Sequence, residues 1–141
     1  MEIWFDMDGT IADLYSVENW LYYLKNEDAF PYAVAAPLVN MARLAKALHK
    51  AQSRGVKVGI ISWTSKGGRA DYNERVAQTK RKWLAKHLPS VTWNEIKIVE
   101  YGTPKSTCGK GILFDDEYNN RMEWGAGAYT PDMIFEVLAK V

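Results

Sequence analysis

Residues 2–10 read Glu-Ile-Trp-Phe-Asp-Met-Asp-Gly-Thr, and this stretch decides the fold. Its apolar part, residues 3–5, is β-branched or aromatic, which favours a buried strand. Asp6 and Asp8 follow directly, and because side chains alternate along an extended chain, both carboxylates should point to the same side. Gly9 then lets the chain turn away, since it carries no Cβ. We therefore predict a central strand that delivers two carboxylates to a ligand-binding crevice at its carboxyl end.

The rest of the chain alternates between helical and strand patterns. Apolar runs predict further strands at residues 56–62, 96–99 and 112–114, with a last short one within 125–129. Apolar spacing and capping signals predict helices from Ser16 to about residue 26, then over 38–54, 69–87, 117–124 and 130–140. Residues 29–37 contain two prolines and are predicted to be a connector. This alternation predicts an α/β fold: a mainly parallel sheet of about five strands between helices.

Composition restricts the class of protein. With 141 residues, 48% hydrophobic and 25% charged, the chain is expected to form one globular domain over residues 1–141. A formal net charge of +1 gives the whole molecule no strong attraction to nucleic acid or membrane. The single Cys108 suits a reducing compartment, and the N-terminus does not resemble a signal peptide. No apolar run approaches the ~20 residues that span a bilayer, so we expect a cytoplasmic protein.

Polar groups follow three of the predicted strands. Asp6 and Asp8 follow the first, Ser62 ends the second, and the pair Asp115–Asp116 follows the strand at 112–114. Because the carboxyl ends of parallel strands lie at one edge of a sheet, these groups should gather in one crevice. Lys105 lies in the loop before the last of these strands and can reach the same edge if the loop folds over it.

This set of residue types fits phosphoryl transfer. Close carboxylates repel each other and are most easily held together by a cation or a shared proton. Oxygen ligands from several carboxylates favour Mg²⁺, which is often shared with a substrate phosphate. One aspartate can act as a nucleophile and a second as a general acid and base. A hydroxyl and a lysine can hold the phosphoryl oxygens.

The same residues resemble the motifs of the haloacid dehalogenase (HAD) superfamily. The stretch 6–10, Asp-Met-Asp-Gly-Thr, is similar to the first motif, and Ser62 after an apolar strand matches the second. Lys105 fits the third motif, and Asp115–Asp116 fits the paired-acid form of the fourth. The four occur in the family's order and span most of the chain. The likeness is to small phosphatases of phages and bacteria, with some similarity to deoxyribonucleotidases.

The resemblance implies a fold and an activity. The fold is a three-layer, Rossmann-like core with a minimal helical cap, for which residues 15–37 are the expected small lid. The activity is Mg²⁺-dependent hydrolysis of a phosphomonoester through an aspartyl-phosphate. The expected partner is a small phosphorylated substrate, such as a nucleotide or a sugar phosphate. Two alternatives are a phosphatase for nucleic-acid ends, which is not favoured, and a non-catalytic binding module.

The resemblance also implies residue roles. Asp6 is the expected nucleophile and a metal ligand, and Asp8 the general acid and base, with its backbone carbonyl on the metal. Asp115 completes the metal site, with Asp116 in it or beside it. Ser62 and Lys105 bind the phosphoryl group. Two weaker candidates for substrate contact, next to the first two motifs, are Thr10 and Trp63.

Three choices stay open from the sequence. Thr64 or Ser65 could replace Ser62 as the phosphate ligand, and Lys110 is a rival of Lys105. Either acid of the 115–116 pair could bind the metal.

The mainly basic helix at 69–87 could contact nucleic-acid phosphates, but we predict that its charges form a solvated face.

Overall fold

The computed structural model describes all 141 residues and contains seven strands. They are β1 (Glu2–Phe5), β2 (Ala12–Asp13), β3 (Ala36–Pro37), β4 (Lys57–Trp63), β5 (Glu95–Val99), β6 (Ile112–Phe114) and β7 (Ala128–Tyr129). Five of them form a parallel sheet in the order β5-β4-β1-β6-β7. The other two, β2 and β3, form a separate antiparallel pair. The prediction of a parallel sheet of about five strands with β1 in the middle is confirmed.

Six α-helices connect or flank these strands. They are α1 (Trp20–Lys25), α2 (Phe30–Val34), α3 (Met41–Ser53), α4 (Ala70–His87), α5 (Tyr118–Trp124) and α6 (Ile134–Leu138). Short 3-10 turns lie at Leu14–Ser16, Lys105–Thr107 and Pro131–Met133. None of the six helices combines the length and the apolar character that crossing a membrane requires.

Both faces of the sheet are covered. Ile3, Phe5, Val58 and Ile60 are fully buried on one face, in a cluster that includes side chains of α3, α4 and α6. The other face carries a smaller cluster around Trp4, packed against the segment before β6 and against α5. Each large apolar side chain buried in this way contributes about 1.5–3 kcal/mol relative to exposure. The three-layer arrangement is therefore confirmed.

The centre of the sheet contains a change of direction. From β1 the chain crosses to β4 on one side, whereas β6, the other neighbour of β1, leads on to β7. Ligands of open parallel sheets bind where neighbouring connections diverge in this way. Backbone hydrogen bonds extend past the strand ends there: Asp6 N donates to Phe114 O at 2.9 Å, and Asp115 N donates to Tyr129 O at 3.1 Å. These bonds place both aspartates at the divergence.

Residues 14–35 form a helical insertion between β2 and β3, and we use that name below. The pairing of Ala12 with Pro37 and of Asp13 with Ala36 closes its base. Leu14 and Tyr32 of the insertion form a buried cluster with Tyr72 and Val76 of α4. The insertion is therefore packed on the first half of α4. It lies within the range 15–37 expected to form a lid, apart from its first residue.

The helix bounds predicted from the sequence are wrong within this insertion and just after it. Ser16 was expected to cap the first helix, but it lies in a 3-10 turn, and α1 begins at Trp20 after Asn19 in the left-handed conformation. The expected connector contains α2, because Pro31 occupies its first turn, where no backbone N–H is required. The helix expected at 38–54 begins at Met41, where Asn40 accepts a hydrogen bond from Arg43 N.

Candidate functional site

Three carboxylates converge at the divergence of β1 and β6. Asp6, Asp115 and Asp116 each offer an oxygen, and these oxygens lie within 4.8 Å of one another. Asp6 and Asp115 are buried, with 7% and 0% of their surface exposed. Water cannot screen charges at such positions well, so the cluster requires a compensating cation or proton.

Lys105 supplies one compensating charge. Its Nζ lies 2.8 Å from Asp6 Oδ1 and 2.7 Å from Asp115 Oδ2, and the side chain is buried. Burial alone would lower the pKa of this ammonium, but the two carboxylates outweigh it and raise the pKa. The rival Lys110 is exposed and makes no such contact; its backbone N–H donates to Glu2.

Thr10 and Gly9 connect the segment that follows β1 to the acidic pair that follows β6. Thr10 Oγ1 donates to Asp6 Oδ2 at 3.0 Å and accepts from Asp116 N at 3.2 Å, so it holds the two segments together. Gly9 has a φ of +80°, and a Cβ built on it would lie 2.2 Å from Asp116 Oδ2. Glycine is therefore needed here for two reasons: the left-handed backbone and the close approach of a carboxylate.

The Asp115 carboxylate is oriented by its own loop and helix. Oδ1 accepts from Glu117 N at 2.9 Å, and Oδ2 accepts from Asn120 Nδ2 at 3.1 Å. Arg121 Nη1 donates to the Asp115 backbone oxygen at 3.1 Å. Asn120 is not among the site residues predicted from the sequence, although its position five residues after Asp115, on the helix that follows, is a usable signal.

Asp8 is paired with a lysine that was expected to lie on a solvated face. Lys80 of α4 is only 1% exposed, and its Nζ donates to Asp8 Oδ2 at 2.8 Å. The same Nζ donates to Ser62 Oγ at 2.8 Å and to Trp63 O at 2.7 Å. All three donors of this ammonium are therefore used. The prediction of a solvated basic face is wrong for Lys80.

A signal for this exception existed in the helix pattern. The buried residues of α4 are Tyr72, Val76, Lys80, Trp83 and Leu84, which follow one another at helical spacing. A lysine on such a stripe either reaches solvent by its flexible chain or finds a buried partner. Here it finds one, because the strand ends of β1 and β4 lie directly beside it.

Burial raises the pKa of several acids of the site. The pKa of Asp8 is raised mainly by burial, opposed by the charge of Lys80. Burial and the neighbouring Asp6 charge raise the pKa of Asp115 to about 6, and they raise that of Asp116 to about 8. Burial and the neighbouring charge of Asp6 therefore favour a proton on Asp116 in the metal-free protein.

A cavity of about 380 Å³ opens above these groups. Asp6, Asp8 and Lys105 lie in its lining, together with Trp63, which was a predicted substrate contact. Thr64 and Ser65 also line it. Ser62 does not: it is fully buried, with its hydroxyl against Lys80.

The donor set fits a hard divalent cation. Three carboxylates without any histidine or thiolate are oxygen ligands of the type that Mg²⁺ prefers. A bound cation would also reduce the electrostatic repulsion among these three neighbouring carboxylates. Asp8 is not in this group, since its carboxylate is turned to Lys80.

Comparison of the sequence with protein-family models gives no match, and comparison with curated proteins gives none either. Among solved structures, the chain is similar to a D,D-heptose 1,7-bisphosphate phosphatase from Burkholderia thailandensis. The similarity has a TM-score of 0.54 and covers 89% of this chain and 72% of that one, at 13% identity. At this identity the likeness concerns the fold, and the fold expected from the HAD resemblance is thereby confirmed.

Proposed function

We propose that the protein is a Mg²⁺-dependent phosphomonoester hydrolase that acts through an aspartyl-phosphate on Asp6. The observation that carries this proposal is the convergence of the Asp6, Asp115 and Asp116 carboxylates, with the Lys105 ammonium bridging Asp6 and Asp115 and with Asp6 and Lys105 lining a cavity. The fold likeness to a sugar bisphosphate phosphatase supports the same activity class. The substrate is a phosphate ester small enough to enter the cavity.

Asp6, Asp115 and Asp116 are the residues that would hold the metal. When bound, Mg²⁺ would offset the negative charge of the phosphoryl group and of the acids around it. Asp115 and Asp116 occupy adjacent positions after β6, and we propose that both carboxylates bind the metal together with Asp6. Asp115 is already oriented by three hydrogen bonds to its two oxygens, whereas Asp116 is held through Thr10.

The first chemical step is an attack of an Asp6 carboxylate oxygen on phosphorus. A new oxygen–phosphorus bond forms as the ester bond breaks, and the leaving oxygen takes the electron pair of that bond together with a proton from Asp8. In the second step a water attacks the aspartyl-phosphate and gives a proton to Asp8. Phosphate leaves, and both aspartates return to their starting state.

The surroundings of Asp8 support this role. Burial raises its pKa, which favours a proton on the carboxyl group, and its side chain keeps 19% exposure toward the cavity. Lys80 holds one oxygen at 2.8 Å and limits that rise. A buried carboxyl group that faces the cavity and has a raised pKa is suited to give a proton to the leaving group and to take one back from water.

The phosphoryl oxygens are held by donors at the cavity floor. Lys105 is one, as the sequence analysis proposed. For the hydroxyl we favour the alternative pair, Thr64 and Ser65, because they line the cavity and Ser62 does not. Ser62 then acts through Lys80, by helping to fix the ammonium that orients Asp8.

Turnover of a generic aryl phosphate tests the proposal. We expect wild-type protein to release phosphate with Mg²⁺ and to lose activity in chelator, with recovery when excess Mg²⁺ is added. Asp6→Asn should reduce the rate at least about a thousandfold, because the amide is a poor nucleophile. Asp132→Asn, at an exposed site elsewhere on the chain, is the matched control and should keep full activity. Activity that survives both chelation and Asp6→Asn would contradict the mechanism.

A further inference from the structure

We propose that Tyr32, on α2 of the helical insertion, is a positioning residue that orients the Asp8 carboxyl group through the ammonium of Lys80. The inference rests on the proposed function, in which Asp8 gives and takes the proton. It adds that the insertion supplies a side chain on which this proton transfer depends.

The contact that carries the inference joins a lysine and an aromatic ring. Lys80 Nζ lies 5.0 Å from the centre of the Tyr32 ring. The hydrogens of this ammonium are donated to Asp8, Ser62 and Trp63, so none is left for another acceptor. The face of an aromatic ring still attracts such a cation, because its π-electrons give it negative character.

Both partners of this contact are buried, but only the ring reaches the cavity. Tyr32 is 5% exposed and lines the cavity, whereas Lys80 is 1% exposed and does not line it. A cation–π contact is stronger where water is excluded. Without the ring, cavity water would reach the ammonium and compete with Asp8 for its hydrogens. Loss of the ring should therefore loosen the orientation of the Asp8 carboxyl group.

The position of α2, and with it the position of the ring, is set by α4. Tyr72 Oη donates to Asp28 O at 3.3 Å, just before α2, and Trp83 Nε1 donates to Ala35 O at 2.8 Å, just after it. Both donors belong to the buried stripe of α4 that also carries Lys80. One helix therefore holds the ammonium and fixes the segment that places a ring against it.

The hydroxyl group of Tyr32 is a separate feature of the same side chain. Burial, and next the nearby Asp8 charge, raise the pKa of this phenol, so the side chain stays neutral beside Lys80. Phenylalanine keeps the face of the ring and lacks the hydroxyl, whereas leucine lacks both. These two substitutions distinguish a role of the ring from a role of the hydroxyl in substrate binding.

Steady-state hydrolysis of an aryl phosphate in Mg²⁺ measures the effect of each substitution. Tyr32→Leu should lower kcat by about tenfold with little change in KM, as expected for loss of a desolvated cation–π contact. Tyr32→Phe should stay within about threefold of wild type, because the ring face remains. Tyr22→Leu is the matched control, since Tyr22 is 66% exposed on α1 and does not line the cavity. Full activity of Tyr32→Leu, an equal loss in Tyr32→Phe, or a change confined to KM would overturn the inference.

A double-mutant cycle with Lys80→Met tests whether the ring acts through the ammonium. In the Lys80→Met protein, Tyr32→Leu should lower kcat by no more than about twofold, since the cation that the ring contacts is already absent. An undiminished loss in that background would show that Tyr32 acts by another route, and would contradict the positioning role.

Fluorinated phenylalanines at position 32 cover the case in which Tyr32→Leu does not fold. Ring fluorination withdraws electron density from the face of the ring with little change in its size. The value of kcat should therefore decrease stepwise as fluorine atoms are added. Equal rates across the series would overturn the inference, because every member keeps a complete ring and differs only in its attraction for the ammonium.

The inference and the proposed function fail differently. If wild-type protein hydrolyses no phosphate ester, but Tyr32→Leu lowers Tm less in the Lys80→Met protein than in wild type, the contact stands and the phosphatase proposal is wrong. If wild-type protein is active and the two substitutions act independently on kcat, the phosphatase proposal stands and the positioning role of Tyr32 is wrong.

Discussion

Lys80 Nζ lies 2.8 Å from Asp8 Oδ2, inside a helix–strand interface where the lysine is almost fully buried. The ammonium also bonds the Ser62 hydroxyl and the Trp63 backbone oxygen, so it joins α4 to the ends of β1 and β4. A lysine in this position is not free to bind solvent or a distant ligand. Its structural consequence is a fixed orientation for the carboxyl group of Asp8.

Removal of this ammonium should slow the reaction. Lys80→Met leaves Asp8 without its charged partner, and we expect kcat to fall by about tenfold to a hundredfold, in line with loss of a charged hydrogen bond. KM should change little, because Lys80 does not line the cavity. Steady-state kinetics with an aryl phosphate provide the measurement. Lys82→Met, at an exposed position of the same helix, is the control, and equal rates for both variants would contradict this role.

Lys105 should be the lysine on which activity depends. Lys105→Met removes the donor that bridges Asp6 and Asp115, and we expect kcat/KM to fall by about a hundredfold or more. Lys110→Met should remain within twofold of wild type, since that side chain is exposed. The same assay compares the two. Full activity of the Lys105 variant would remove this residue from the site.

The acidic cluster should couple stability to pH. Burial and the neighbouring Asp6 charge raise the pKa of Asp116 in the folded protein to about 8, well above its ordinary value, so the folded protein binds a proton that the unfolded chain has released. The contribution of this group is present in full below the unfolded pKa and is lost as the pH rises through about 8. The thermal stability of the metal-free protein should therefore decrease as the pH rises from about 5 to about 9.

Added Mg²⁺ and a variant separate this effect from other titrations. Mg²⁺ should raise Tm more at pH 8 than at pH 6, because protons compete for its ligands. Asp116→Asn should flatten the pH dependence of the metal-free protein. Thermal melts across this range give the measurement, and a slope unchanged in Asp116→Asn would assign the titration to other groups.

Gly9 should be required for the metal site as well as for the backbone. Gly9→Ala adds a methyl group 2.2 Å from Asp116 Oδ2, so this carboxylate must move. We expect a rise of about tenfold or more in the Mg²⁺ concentration for half-maximal activity, with a stability loss of about 1–3 kcal/mol from positive φ. Gly55→Ala has a similar φ of +84° with open space around it, so it should lose stability alone. A Mg²⁺ requirement that changes equally in both variants would contradict the steric argument.

The central strands could be predicted because local and long-range preferences agree there. Ile3 and Phe5 have residue types that favour a buried strand, and both are buried in the structure. Asp6 and Asp115 follow the paired strands β1 and β6 at the same edge of the sheet. The parallel arrangement then brings these acids together without further information. Lys105 could also be predicted as a site residue, since its loop leads into β6.

The helical insertion and Lys80 could not be predicted in the same way. Ser16 has a good capping side chain, but packing of Leu14 and Tyr32 on α4 decides where the helices begin. The charge of Lys80 predicted a solvent-exposed position. The partner that allows its burial, Asp8, is 72 residues away in the sequence. Burial of a charge depends on such a long-range partner, which periodicity alone does not show.

Covalent capture of the phosphoryl group on Asp6 tests the account most directly. The Asp8→Asn protein lacks the base for the second step, whereas an aryl leaving group needs little protonation in the first. Mixing this variant with an aryl phosphate and Mg²⁺, followed by acid quench and peptide mass spectrometry, should show one phosphoryl group on Asp6. No such adduct should form in the Asp6→Asn, Asp8→Asn double variant. A phosphoryl group on another residue, or none on Asp6 while wild type turns over the same substrate, would contradict the central claim.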